Sequence, residues 1–482
     1  MKRHSLPVFV LVLFAILVCL CFLKRFPSTA SAAAMPSSPT YASTFEQALP
    51  EGNYLVTITI ETNGGISEAC VKAEGRRLMF YSPVTDSDKG ALNDHPESQN
   101  PTHAEAGRVT TAAEPHQYVS SFAVNIRTTE IGKNAQGGRV SLRPREVNHP
   151  RWDDLLTVTD FTRPADQPAP ELPDGTNDAP VFRENGSMGK AGAEADKMAR
   201  PDVSELAQRM EQTGLIRGCR YSIQVEPLPD AVTIYLAGDS TVCDQRDEPW
   251  ATWGMMIPAF FNSETAVANH AESGLALSSF VAQKRLDKIL STMKAGDYVM
   301  IQFGHNDQKE NGPEAGANKG YSKRLAAFID AVKAKGAHPV VVTPVERRRF
   351  RDGKPYGTLQ DYAAAGKQVA AEKDVPVIDL NAMSLKFYEA LGEEGSKCAF
   401  VHYPANTFPD QPQMLKDDTH HNPYGGFELA KCVVQGIKDN VPELAKRLRP
   451  GIPDFDPAKP DDFASFRLPA SGMKSAQKPD GQ

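Results

Sequence analysis

Residues 234–243 read IYLAGDSTVC. An apolar run ends, and Gly238, Asp239, Ser240 and Thr241 follow at once. A short apolar run without alternation suits a strand buried on both faces, as in a parallel sheet covered by helices. The polar string after it makes an ordinary turn, because Asp and Ser cap helix N-termini. The same string also suits an exposed nucleophile. The surrounding sequence decides which reading holds.

AVTIYLA, TAVANH, YVMIQFG, PVVVTP and VPVIDL are similar apolar runs, all within 231–380. Between them lie helical stretches such as SKRLAAFIDAVKAKG and LQDYAAAGKQVAAEK. Alternating strands and helices predict one α/β domain over 231–447, with five parallel strands and helices on both faces. In open sheets of this kind a site lies at the carboxyl ends of the strands. The first run ends in Gly238-Asp239-Ser240-Thr241, and the second leads into NHAESG with Asn269 and Gly274. The third ends in Gly304-His305-Asn306-Asp307, the fourth in TPVERRRF, and DDTHHNPYGG precedes a helix near the C-terminus.

Each block alone has a structural explanation: a capped turn, a turn glycine, a polar loop, a surface Asp-His pair. Their order at successive strand ends points to nucleophilic acyl transfer. A serine hydroxyl needs a histidine as general base and a carboxylate to fix that histidine's tautomer. The oxyanion needs aimed donors. Ser240, placed at a helix N-terminus, is the candidate nucleophile. The N–H groups of Ser240 and Gly274 and the Asn306 amide are the candidate donors. DDTHH holds two overlapping frames, Asp417 with His420 and Asp418 with His421.

Ser in GDS, Gly in the second block, Asn in GHND and His in DxxH resemble the SGNH (GDSL) hydrolase superfamily. LAGDSTV, IQFGHNDQ, DxTH, DEPWATWGMMIPAFF and NHAESGLALSSF resemble its rhamnogalacturonan acetylesterases, which deacetylate pectin. The resemblance covers about 231–440. It implies a flavodoxin-like three-layer α/β/α fold, no metal and no cofactor. The family pattern has Thr before the catalytic His and Gly five residues after it. Thr419, His420 and Gly425 fit, which selects Asp417 and His420. His421 then becomes a candidate substrate contact. So do Arg347 and Arg348, with Arg349 beside them, because arginine pairs well with the carboxylate of galacturonate. A solvated basic loop explains those arginines equally well. His305 and Asp239 read as loop-holding residues, and Trp250 and Trp253 as core, with stacking on sugar as the alternative.

Upstream, NYLVTITIET, RRLMFYSP, YVSSFAVNIRT, RVSLRPRE, LLTVTDF and CRYSIQVEPL read as short strands between turns. They predict an all-β sandwich over 41–228, with a polar loop at 82–116 and an irregular insertion at 161–217 containing a helix from Asp202 to Leu215. The sandwich resembles the galactose-binding-like domain that precedes the esterase in some bacterial relatives. The Pro-rich stretch 448–482 reads as a tail.

Residues 1–34 carry Lys2, Arg3 and His4, an apolar run from Leu6 to Leu23, and then STASAAAM. That order reads as a secretory signal, with an uncleaved membrane anchor as the alternative. The expected location is therefore secreted or cell envelope. Beyond Cys19 and Cys21, the cysteines are Cys70, Cys219, Cys243, Cys398 and Cys432, odd in number and without a C-x-x-C pair, which excludes a zinc ribbon or disulfide scaffold. The 482-residue chain has a formal net charge of −7 and no basic stripe, which argues against a nucleic-acid partner. The expected partner is an acetylated plant cell-wall polysaccharide, met by a monomer. Acetylated xylan, a lipid ester, and a non-catalytic envelope role in carbohydrate binding are the alternatives.

Overall fold

The computed structural model describes residues 33–34, 43–62, 66–83, 116–142, 152, 154–160, 163–164, 220–408, 411–469 and 471. The leader, apart from residues 33–34, the bulk of the 82–116 loop and most of the 161–217 insertion with its 202–215 helix lie outside them. So do Cys219 and the last residues of the tail.

The N-terminal strands are β1 (Ser43–Ala48), β2 (Gly52–Thr62), β3 (Ile66–Ala73), β4 (Arg77–Pro83), β5 (His116–Ile126), β6 (Leu155–Asp160) and β7 (Arg220–Pro227). β7, β2 and β5 form one antiparallel sheet. β1, β6, β3 and β4 belong to a second. Alternate residues of both sheets meet in one core: Val56, Ile58 and Ile60 of β2, Val71 of β3, Phe122 and Val124 of β5, Leu156 and Val158 of β6. Two sheets sharing one core make the expected sandwich.

Two of its strands, β1 and β3, are absent from the runs read in the sequence. In β3 the reason is physical. Ala69, Val71 and Ala73 face the sandwich, Cys70 joins a different core, and Lys72 is buried between them. A strand covered on both sides and carrying a lysine shows no clean alternation.

The second unit contains β8 (Val232–Gly238), β9 (Thr265–Asn269), β10 (Tyr298–Gln302), β11 (His338–Val342) and β12 (Val377–Ile378), all parallel in the order β9-β8-β10-β11-β12. Ile234, Leu236, Tyr298, Met300, Val340 and Val342 point to one side, and Tyr235, Ala237, Val299, Ile301 and Val341 to the other. This is the period of two expected of a strand, with both faces apolar. Helices α1 (Trp253–Met256), α2 (Leu277–Ala282), α3 (Arg285–Thr292), α4 (Ser322–Ala334), α5 (Gln360–Glu372), α6 (Leu380–Gly395) and α7 (Pro423–Asn440) cover it. α1, α6 and α7 pack on the first side and α3, α4 and α5 on the second. The result is the three-layer α/β/α fold that the alternation of strands and helices predicts.

DDTHH is not a loop. It lies on β14 (Leu415–His421), which pairs antiparallel with β13 (Phe400–Tyr403) outside the main sheet. The tail packs back on α7: Tyr424 meets the rings of Phe463 and Phe466, and its hydroxyl donates to Asp461 O at 2.7 Å. No helix among the described residues is long and apolar enough to cross a membrane. Cys398 and Cys432 are free thiols.

α7 lies so close to the backbone at Ala399 that a Cβ at Gly425 would overlap the Ala399 carbonyl oxygen, whereas a Cβ at Gly395 would meet open space. Gly425→Ala should therefore destabilise by about 3 kcal/mol and lower the thermal midpoint by roughly 6–12 °C. Gly395→Ala should leave the midpoint unchanged or raised, as scanning calorimetry of the two variants would show.

Candidate active site

β8 lies between β9 and β10, so the loops leaving those three strands converge. Ser240 stands two residues past the end of β8, Gly274 in the loop after β9, and Asn306 in the loop after β10. The backbone reaches Ser240 through a close approach. A Cβ at Gly238 would come within 2.6 Å of the Val242 side chain and 2.9 Å of Gln302 O, so only glycine fits.

The turn after Gly238 is built by Asp239. Its carbonyl accepts from the N–H groups of Val242 and Cys243, both at 3.0 Å. Its Oδ1 accepts from Thr241 N at 2.9 Å and Thr241 Oγ1 at 2.7 Å. The expectation that Ser240 heads a helix is not met, since the next helix, α1, begins only at Trp253. Side chains hold the carbonyls that a helix would have used. Gln245 Nε2 donates to Ser240 O at 2.7 Å, Asn269 Nδ2 to Val242 O at 2.8 Å, and Thr252 Oγ1 to Val242 O and Cys243 O at 3.0 and 2.9 Å.

His420 reaches this turn from β14. Its Nε2 is 2.9 Å from Ser240 Oγ and its Nδ1 is 2.8 Å from Asp417 Oδ2. An Nδ1–H given to the carboxylate leaves Nε2 as acceptor for the serine hydroxyl, the tautomer a general base requires. Burial would raise the Asp417 carboxyl. Hydrogen bonds from the His420 ring and from the N–H groups of Thr419 and His420 outweigh that and hold it well below the usual carboxylate range. The ring of Trp250 stands edge-on to His420 with centroids 5.7 Å apart. The sequence reading of Trp250 is core packing, with stacking on sugar as the alternative, and nothing in the sequence places it beside the imidazole.

Gly274 has φ +75°, open to glycine but strained for other residues. Among the described residues, neither Ser240 N–H nor Gly274 N–H donates to a protein acceptor. Asn306 is oriented by its neighbours. Its Oδ1 accepts from Lys309 Nζ at 3.2 Å and one Nδ2–H donates to Leu275 O at 3.2 Å, which leaves the second Nδ2–H unused by those bonds. His305 is fully buried, with Nδ1 3.7 Å from Asp239 Oδ2. Burial lowers the His305 imidazole, and among the described residues neither ring nitrogen is within hydrogen-bond distance of a partner. Among the described residues no group of three or more His, Cys, Asp or Glu side chains is placed to hold a metal ion.

The alternative frame and part of the expected substrate set are corrected. Asp418 faces away from His420 and pairs with His402 at 2.9 Å, Arg348 at 3.2 Å and Arg349 at 3.3 Å. Arg348 is buried and also donates to Ser396 Oγ at 3.0 Å and to Glu393 O, so its guanidinium is committed to the fold and not to the cleft. His421 does not line the cleft either. It is buried against Phe400, and its Nε2 is 2.9 Å from Tyr388 Oη. The one phenolic proton of Tyr388 goes to Glu346 O at 3.0 Å, so His421 Nε2–H is the donor to that oxygen. Arg347 is half-buried beside the GHND loop and donates to Gln308 Oε1 at 3.1 Å and Thr358 Oγ1 at 3.0 Å. Arg349 is exposed. Trp250 and Trp253 are both buried, and Trp253 Nε1 donates to Gln302 Oε1 at 2.9 Å.

A family model described as GDSL-like lipase/acylhydrolase matches residues 236–425. Rhamnogalacturonan acetylesterase RhgT of Bacillus subtilis (strain 168) is 43% identical over 211 residues, which are 43% of this chain and 90% of that protein. Probable rhamnogalacturonan acetylesterase YesY of the same strain is 35% identical over 209 residues, 43% of this chain and 92% of its own. Among solved structures, the Bacillus subtilis protein YxiM aligns over 86% of this chain and 88% of its own, at 21% identity and a TM-score of 0.40.

Burial, first, and the nearby charge of His420 push the His421 imidazole down to about 3. Below pH about 6.5 the unfolded chain takes up a proton that the folded chain refuses. The stability advantage of neutral His421 is therefore complete above that pH and is lost as pH falls toward 3, by at most about 1.4 kcal/mol per pH unit. In melts between pH 7 and 4, the gap between wild type and His421→Gln should narrow with acidification. A constant gap contradicts this.

Proposed function

The chain belongs to the GDSL-like lipase/acylhydrolase family and is a carboxylic ester hydrolase of the carbohydrate esterase kind, and from that premise we propose that it removes acetyl groups from acetylated pectin, rhamnogalacturonan above all, through an acyl-enzyme on Ser240. The observation that carries the reading is the continuous contact from Ser240 Oγ through His420 to Asp417, at 2.9 and 2.8 Å. The likeness of the hydrolase half to two proteins named as rhamnogalacturonan acetylesterases supports the substrate.

In this mechanism Ser240 Oγ attacks the acetyl carbonyl carbon while its proton passes to His420 Nε2. Asp417 keeps the imidazole in the required tautomer and stabilises the imidazolium that forms. The carbonyl π pair moves onto oxygen, where Ser240 N–H, Gly274 N–H and the second Asn306 Nδ2–H receive it. One such donor is typically worth about 2.7–4 kcal/mol of transition-state stabilisation. Collapse breaks the bond to the sugar oxygen, which leaves with the proton from His420. Water, deprotonated by His420, then attacks the acetyl-serine, acetate departs, and Ser240 regains its proton. Arg347 and Arg349 on the loop after β11 are the cations that an acidic polysaccharide would meet. The basic, apolar and small-residue order of residues 1–34 supports export to the cell envelope or beyond.

Ser240→Ala should abolish acetate release from acetylated polysaccharide while leaving the fold intact, and full activity in that variant refutes the site. Asn306→Ala should lower kcat by about 10²–10³ with little change in KM. Acetate release from acetylated pectin, rhamnogalacturonan and xylan should be fastest on rhamnogalacturonan. A preference for xylan overturns the proposed substrate.

A further inference from the structure

The residues between Ser240 and α1 form a loop that touches the site at three points. Gln245 Nε2 donates to Ser240 O, the Trp250 ring stands against His420, and Ala251 N donates to His421 O at 2.8 Å. Between the Asp239 turn and α1 the loop carries no helix or strand of its own, and within it Trp250 N donates to Asp247 O at 3.2 Å. Part of its restraint comes from the sandwich. The turn Glu74-Gly75-Arg76 joins β3 to β4, with Glu74 at φ +52° and Gly75 at φ +85°, and it projects into the hydrolase unit. Arg76 is buried. Its Nη1 donates to Gln245 O at 3.2 Å, Asp247 O at 2.7 Å and Trp250 O at 2.7 Å, and its Nη2 is 3.5 Å from Glu248.

Arg77 acts one residue further on. Its Nε and Nη2 donate to Asp244 Oδ2 at 3.3 and 2.9 Å, and its Nη1 donates to Val267 O of β9 at 3.3 Å. Asp244 Oδ1 in turn accepts from Asn269 Nδ2 at 2.8 Å, and that same amide holds Val242 O. Cys70 and Leu78, on either side of the turn, enter the core that also contains Val242, Cys243, Ala251 and Trp253. A guanidinium suits this task, because its planar fork presents several donors in fixed directions to carbonyls that no helix or sheet satisfies.

We propose that the N-terminal sandwich completes the esterase site, with Arg76 and Arg77 as positioning residues that hold the 243–251 loop against Ser240 and His420. The sandwich is then part of the catalytic framework and not a separable sugar-binding attachment. The inference rests on the assignment of Ser240 and His420 above.

The test uses the full chain and p-nitrophenyl acetate, with kcat and KM measured for Arg76→Met, Arg76→Lys, Gln245→Ala and Ser240→Ala and folding followed by circular dichroism melts. Loss of loop registration should lower kcat of Arg76→Met by roughly 10–100-fold, since displacements near 1 Å have effects of that size. KM should stay within about threefold, because the loop orients the reacting groups and does not bind substrate uniformly. Arg76→Lys, whose ammonium keeps three donors, should recover part of kcat. Gln245→Ala keeps the backbone carbonyl that Arg76 holds and removes the loop's bond to Ser240 O, so a lower kcat there checks the loop's part, while Arg76→Lys, which keeps the buried charge, decides the sandwich's part if Arg76→Met does not fold. A folded Arg76→Met with wild-type kcat, or with only KM raised, overturns the proposal, as does a folded Arg76→Lys at full rate when Arg76→Met is lost. Activity surviving in Ser240→Ala instead refutes the site assignment. An inactive Ser240→Ala beside a fully active Arg76→Met refutes the positioning role alone.

Discussion

The central strand β8 is buried on both faces between two helical layers, and that constraint organises the molecule. Ile234 and Leu236 belong to one core and Tyr235 and Ala237 to the other. No polar side chain that reacts with substrate can sit along such a strand without a partner, since an unpaired buried polar group is unfavourable by kcal/mol amounts. Polar chemistry is displaced to the carboxyl end, where the backbone leaves the sheet. β9 and β10 flank β8, so their loops arrive at the same place. His420 comes from outside the sheet, on the β13–β14 pair.

At that end the chain does not continue into a helix. The Asp239 side chain closes the turn, and Gln245, Asn269 and Thr252 take the carbonyls of Ser240, Val242 and Cys243. Among the described residues the Ser240 N–H bonds to no backbone acceptor. The site is rigid through side-chain to backbone bonds, several of which cross between elements far apart in sequence.

The interface between sandwich and hydrolase continues this pattern. Arg77 and Asp244 form a buried ion pair at 2.9 Å, with Arg127 3.6 Å from the same carboxylate oxygen. Buried pairs add little net stability over well-packed apolar residues, but removing one partner strands a charge at about 3–5 kcal/mol. Such a pair tolerates few alternative dockings, which suits a contact that fixes a loop beside a nucleophile. The tail adds a second tie, through the Phe466 ring against Tyr81 of β4 and Tyr424 of α7.

The strand runs, the helix periodicity and the four polar blocks were legible because each is a local pattern: period-two burial, 3.6-residue spacing, glycine where backbone must pass closely. They determined the parallel sheet, the sandwich ahead of it, and the candidate set Ser240, Gly274, Asn306, Asp417 and His420. Spacing alone left the frames of DDTHH equivalent and the family pattern chose Asp417 with His420; the tertiary structure supplies the physical reason, because Asp417 faces the His420 ring whereas Asp418 faces His402 and Arg348. It also moved His421 and Arg348 into the interior, where Tyr388, Ser396 and Glu393 hold them. The contacts of Arg76 with Gln245, Asp247 and Trp250 join residues some 170 positions apart, a separation at which one sequence carries no local signal.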